Sequence, residues 1–191
     1  MSLVKDTNKI YLTYKARMVA EEKLRRFSKL ANLMNIWYSF LMIVGSLAEA
    51  TQTIEIRYYE VLFASASIAI FASSTFLVSG MLERKASDFR ECYLELQKIW
   101  NSTLTDNEKL KRYGDSLARY PNHSPQDDAD MRFGAWWRGA ALYDTVGEAK
   151  LSTKSLIGIV LRKLAFWALI SLVFFAPVYF APSFVTLKPS V

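Results

Sequence analysis

Val61 to Leu82 reads VLFASASIAIFASSTFLVSGML, twenty-two residues without a charge. As a helix it spans roughly 33 Å, slightly more than the ~30 Å hydrocarbon core of a bilayer. The run stops abruptly at Glu60 and at Glu83-Arg84-Lys85. Two further segments match it: Leu30 to Ala48 carries no charge over nineteen residues and Leu164 to Leu187 none over twenty-four. Three uncharged runs of this length do not suit a water-soluble globule. The expected fold class is all-α, an integral membrane helical protein: a two-span hairpin with long cytoplasmic helices plus a third C-terminal transmembrane helix.

The charges then order the chain. Residues 1–29 hold eight Lys or Arg, residues 83–163 hold fourteen, and the loop Glu49 to Glu60 and the tail hold one each, Arg57 and Lys188. Basic segments stay in the cytoplasm. The sequence therefore predicts a basic cytoplasmic helix over 1–29, a hairpin over 30–82 with spans at 30–48 and 61–82, a cytoplasmic helical region over 83–163, and a third span at 164–187. The N-terminus faces the cytoplasm of the inner membrane, and Tyr58 and Tyr59 sit at the outer interface. Ala48-Glu49-Ala50 has the form of a signal-peptidase site, but the basic region and the apolar run before it are both too long for a signal peptide, so the segment is expected to stay as a span. The formal charge of +6 belongs to this topology rather than to nucleic acid, and no direct nucleic-acid binding is expected. A single cysteine, Cys92, excludes an intrachain disulfide and reads as a packed thiol.

Within the first span Asn32, Asn35, Ser39, Met42, Ser46 and Glu49 follow one another by three and four residues, which places them on one face of a helix. Such a face avoids lipid: it is either a hydrogen-bonded packing seam or the lining of a pore made by several copies. Small and hydroxylated positions of the second span, such as Ser67 and Ser74, are its natural partners. Beyond that span the helix is expected to run on into the cytoplasm. There Phe89, Cys92, Tyr93, Leu96, Ile99 and Trp100 form an apolar stripe opposite Arg84, Asp88, Glu91, Glu95 and Lys98. Phe89, Tyr93, Leu96 and Trp100 are candidates for an oligomer contact, or for packing on the N-terminal helix. Asp6 or Thr7 is a candidate cap for that first helix, and Thr105 or Asp106 for one ending near Tyr120.

Tyr120-Pro-Asn-His-Ser-Pro-Gln-Asp127 reads as a turn followed by a helix start. His123 with Asp127, Asp128 and Asp130 also admits a metal or catalytic reading, but the simpler turn leaves no metal and no cofactor expected. Farther on, Arg132, Trp136, Trp137 and Arg138 cluster with Phe133 and Tyr143. Aromatic and Arg side chains together can stack a base and hold its phosphate, or pack a core, or meet headgroups. Arg162 and Lys163 mark the inner interface before a bulky third span, which Pro177 and Pro182 are expected to kink or end. No Gly-rich phosphate loop, H-E-x-x-H or C-x-x-C is present, so an enzyme is not expected.

The order of these parts carries a resemblance. A basic helix with Tyr14-Lys15-Ala16-Arg17 precedes a small-residue hairpin. A helix opening Leu82-Glu83-Arg84-Lys85-Ala86 follows, with Phe89-Arg90 and Tyr93-Leu94-Glu95-Leu96. Over roughly residues 8–130 the chain resembles the SLATT domain family, two-span membrane effectors of bacterial conflict systems, and the 120–127 segment is similar to a motif of one subfamily. The resemblance implies a membrane-disrupting or pore-forming effector in anti-phage defence and abortive infection. Its implied partners are the bilayer, further copies of itself, and a nucleotide second messenger or a signalling enzyme encoded nearby, such as a nucleotidyltransferase or reverse transcriptase. The third span departs from the two-span pattern. A membrane-anchored interaction subunit is the alternative, and an integral-membrane enzyme built on His123 and Asp127 a further one.

Overall fold

The computed structural model describes residues 3–51, 54–56, 58–144, 147–148 and 151–187. Arg57 and Lys188 lie outside the described residues, as do the side chains of Asp6, Tyr59, Glu60 and Phe180. The first element, α1 (Leu3–Ala50), is an unbroken helix of 48 residues, about 72 Å of rise. No Gly or Pro occurs between Leu3 and Val44, so nothing in the sequence stops it. It is already helical at Leu3, upstream of both residues expected to cap it. Next come β1 (Ile54–Ile56), α2 (Tyr59–Val78), α3 (Met81–Asn101), α4 (Asp106–Arg119) and α5 (Pro125–Trp137). The short strands β2 (Tyr143–Asp144) and β3 (Gly147–Glu148), then α6 (Thr153–Phe184) and β4 (Val185–Leu187), complete the chain. The protein is all-helical apart from two small antiparallel ladders, β2 with β3 and β1 with β4.

Two expectations need correction. The helix of the second span does not run on unbroken: it stops at Val78 and α3 restarts at Met81, with Gly80 between them at φ +68°. Only glycine occupies that backbone region without strain, and its N–H closes on the Leu77 carbonyl at 3.2 Å. At the other end, the third apolar helix stops at Phe184 instead of continuing to Leu187. Val185, Thr186 and Leu187 pair with Ile56, Glu55 and Ile54 instead. β-Branched residues on both strands suit a ladder, and Pro182 has already removed one helical donor. Pro177 ends nothing, since α6 passes through it.

The chain divides into two compact units, Met1–Arg26 with Leu82–Lys163, and Phe27–Met81 with Leu164–Val191. In the first unit the early part of α1 is covered on opposite faces. Ile10 and Tyr14 pack with Cys92, Leu96 and Ile99 of α3, joined by Tyr11, Trp100 and Tyr113. Leu12 and Ala16, half a turn of the helical wheel away, pack with Met131 and Ala135 of α5 and with Leu142. Apolar residues on two opposite faces of this stretch are therefore both buried, while Lys9 stays exposed. Each large apolar side chain so buried is worth about 1.5–3 kcal/mol. Capping boxes start α4 and α5: Thr105 with Glu108, and Ser124 with Asp127.

The second unit has the opposite character. Val78 is 86%, Phe71 73% and Ile43 67% exposed, a distribution that suits hydrocarbon and not water. Among the described residues three stretches hold helix long and apolar enough to cross a membrane: Thr7–Ala50, Val61–Asn101 (α2 followed by α3) and Thr153–Pro177. The hydroxyls of α2 suit lipid as well, because Ser65, Thr75 and Ser79 donate to backbone carbonyls one turn earlier, Val61, Phe71 and Phe76. At Pro177 the missing N–H leaves the Val173 carbonyl without its usual helical donor. Tyr38 of α1 donates its hydroxyl to that carbonyl at 2.5 Å, and Trp37 donates its indole N–H to the Phe174 carbonyl at 3.0 Å. The Trp37 and Phe174 rings stack at 4.9 Å and 11°. Side chains of α1 thus make good the backbone bond that the proline removes, which hydrocarbon would otherwise penalise heavily.

Candidate functional site

Three- and four-residue spacing on α1 brings Asn32, Asn35, Ser39, Met42 and Ser46 to one helical face, and α2 meets part of it. The Asn35 carboxamide is bonded on both ends: its Nδ2 donates to Ser74 Oγ at 2.9 Å, and its Oδ1 accepts from Ser73 Oγ at 2.6 Å. Ser74 is the partner that its small size and hydroxyl suggest; Ser73 carried no signal to set it apart from the other hydroxyls of the span. Ser67 is exposed and makes no side-chain hydrogen bond among the described residues. Asn32, Ser39 and Ser46 likewise have no side-chain partner there.

Beside the Asn35 bridge runs an open groove of about 520 Å³, walled by Asn32, Asn35, Ile36, Ser39, Phe40 and Ile43 of α1 and Ser74, Leu77 and Val78 of α2. Met42 and Ser46 are not part of its wall. The groove is chemically mixed: an amide and hydroxyls are set between large apolar side chains. Polar groups without a partner inside one chain, on a helix of this hydropathy, need a polar neighbour or water.

The other candidates fall in the first unit. Of the apolar stripe on α3, Leu96 is packed against α1 and Phe89 is buried within the chain, so neither presents a surface to a neighbouring subunit. Tyr93 and Trp100 are partly buried at the edge of the same core, Trp100 with its ring 5.6 Å from Tyr11. Arg132 donates to Asp128 one helical turn earlier at 2.8 Å, whereas the Arg138 guanidinium lies over Gly134. Trp136 and Trp137 point outward, Trp137 being 75% exposed, with their rings 6.3 Å apart. Gly139, at φ +65°, closes α5 behind them: its N–H bonds the Trp136 carbonyl, and that of Ala140 bonds Ala135. The two arginines and two tryptophans therefore share a helix end without converging on one enclosed pocket.

The 120–127 segment is a turn and a helix start. Asp127 Oδ2 accepts from the Ser124 N–H and hydroxyl, at 2.9 and 2.7 Å, and its Oδ1 accepts from Lys23 at 2.8 Å. Burial works to raise the Asp127 carboxyl, but the bonds from Lys23 and Ser124 prevail and hold it below the usual carboxylate value. Asp130 bridges Lys23 and Arg162. With these carboxylates engaged, the described residues contain no group of three His, Cys, Asp or Glu side chains placed to hold a metal. His123 lies half-buried above this cap, its imidazole pushed toward the neutral form by burial and by the charge of Arg17.

A family model described as SMODS and SLOG-associating 2TM effector domain family 5 (SLATT_5) matches residues 3–185. The matched stretch takes in all three apolar helices, well beyond the 8–130 span of the resemblance read from motifs. No curated protein and no solved structure matches the chain.

Proposed function

Because this chain belongs to the SMODS and SLOG-associating 2TM effector domain family 5, a family of membrane effectors, we propose that it permeabilises the bacterial inner membrane as a homo-oligomer when an upstream signal arrives. The observation that carries this reading is the groove beside Asn35. Asn32 and Ser39 lie there without side-chain partners among the described residues, while Asn35 is held by Ser73 and Ser74. In the resting arrangement the serines satisfy Asn35. Assembly around a shared axis would exchange those bonds for water and line a conducting path with Asn32, Asn35, Ser39, Met42 and Ser46. The N-terminus and the 83–163 region would face the cytoplasm, where a nucleotide messenger, or the nucleotidyltransferase or reverse transcriptase that serves the same system, would act. No catalytic role is assigned.

Reconstitution into liposomes loaded with a self-quenching dye tests the reading. The wild-type protein, triggered by its neighbouring gene products, is expected to release dye as an oligomer. Asn35→Leu is expected to reduce release at least tenfold at equal membrane insertion. Undiminished release by Asn35→Leu overturns the polar path. The exposed Trp136 and Trp137 favour a second reading, a membrane-anchored subunit that recruits a cytoplasmic protein. That subunit would tolerate Asn35→Leu and lose partner binding with Trp137→Ala.

A further inference from the structure

Arg17 has no exposed surface at all, and no carboxylate pairs with it among the described residues. Its Nη1 touches the Cys92 sulfur and its Nη2 reaches Asn122 Oδ1 only at 3.4 Å. Among the described residues Nε is buried without a hydrogen-bond partner, and so is Nδ1 of His123 in the neighbouring turn. A buried guanidinium in this state is expensive, because desolvation is not repaid by an opposite charge.

Among the described residues no neighbouring group repays it: Glu95, close enough to act on Cys92, is paired with Arg119. Cys92 cannot supply a thiolate readily, since burial raises its thiol despite the pull of Arg17. The carboxylates that act on His123 are already taken, Asp127 by Lys23 and Ser124, and Asp128 by Arg132. Ser116, fully buried beside Cys92, is neutral. The turn between α4 and α5 carries Asn122, which reaches Arg17 at 3.4 Å and is itself exposed, so this turn lies between the charge and water.

We propose that Arg17, Asn122 and His123 form a receptor for a phosphate-type oxyanion on a soluble ligand. The guanidinium brings the charge and a fork of donors, the His123 imidazole adds an N–H from the turn, and Asn122, whose Oδ1 now accepts from Arg17, would turn its Nδ2 toward the anion; this set suits a tetrahedral anion whose oxygens point in several directions. Occupancy requires the 121–124 turn to lift, so the site is linked to the junction of α4 and α5. The assignment is independent of whether the protein forms a pore.

His123 is the only histidine, so a sample labelled at histidine gives one set of imidazole NMR signals. The test uses the full chain in detergent without phospholipid, titrated with sodium pyrophosphate against sodium chloride of equal ionic strength. Saturable movement of the His123 signals is expected, with a rise in Tm of roughly 5 °C at saturation. Asn122→Ala, on an exposed turn, is expected to weaken binding about tenfold. Arg17→Met is expected to abolish the response while leaving the ligand-free protein as stable as wild type or more so. Wild-type signals and Tm that follow chloride alone overturn the proposal. So does a full response in both variants, which places the anion elsewhere, and so does a response that appears only after phosphatidylglycerol is added, which makes the ligand a lipid.

Discussion

Asp127 joins three parts of the first unit through one carboxylate: it closes the capping box of Ser124, starts α5, and binds Lys23 of α1. Loss of such a cap costs about 1 kcal/mol. Asp127→Asn is expected to lower stability by roughly that much or somewhat more near pH 7, read by thermal unfolding in detergent. The folded carboxyl titrates below its unfolded value, so its contribution is complete above about pH 4 and fades as pH falls through the lower folded value. The difference between wild type and Asp127→Asn is therefore expected to shrink in acid; a constant difference down to pH 3 would show that the charge is not responsible. The turn and the helix start were legible in the 120–127 segment. Lys23, the partner of Asp127 more than a hundred residues away, was not, because no local pattern encodes a tertiary ion pair.

Between elements, the contact of α1 with α6 carries a prediction about backbone bonding in lipid. Pro177 withholds the donor that Val173 needs, and Tyr38 replaces it. Tyr38→Phe leaves that carbonyl unsatisfied and is expected to cost about 1–3 kcal/mol. In a Pro177→Ala background the helix regains its own N–H, and the cost of Tyr38→Phe is expected to fall below half of that. Additive effects of the two substitutions in a double-mutant cycle would dissociate Tyr38 from the proline. The proline is visible in sequence as a helix breaker. That it breaks nothing depends on a phenol supplied by another helix.

For the whole molecule, the charge asymmetry makes a topological prediction. With Thr51→Cys and Thr103→Cys introduced one at a time into a Cys92→Ser background, a membrane-impermeant maleimide is expected to label position 51 in intact cells. Position 103 is expected to react only after permeabilisation. Labelling in the opposite order would invert the topology and place the Arg17 turn outside.

The three apolar runs, the basic flanks and the polar face of the first span are one-dimensional features. Length, charge and helical period therefore determined the class of protein, its three apolar helices and the face bearing Asn35 before any contact was known. The cap of α4 at Thr105 and the helix start after the 120–127 turn were legible for the same reason, since a cap needs partners only three residues away. Tertiary structure decided what each face meets: that Ser73 joins Ser74 in holding Asn35, that α1 is enclosed by α3 and α5, and that Gly80 separates α2 from α3. It also decided that Val185 to Leu187 leaves the helix to pair with Ile54 to Ile56. Arg17 marks the boundary between the two. Its place among Ala16, Met18 and Val19 was written in the chain, but its burial without a counter-charge arises only when α3 and the α4–α5 turn close over it, because solvent exclusion belongs to no single segment.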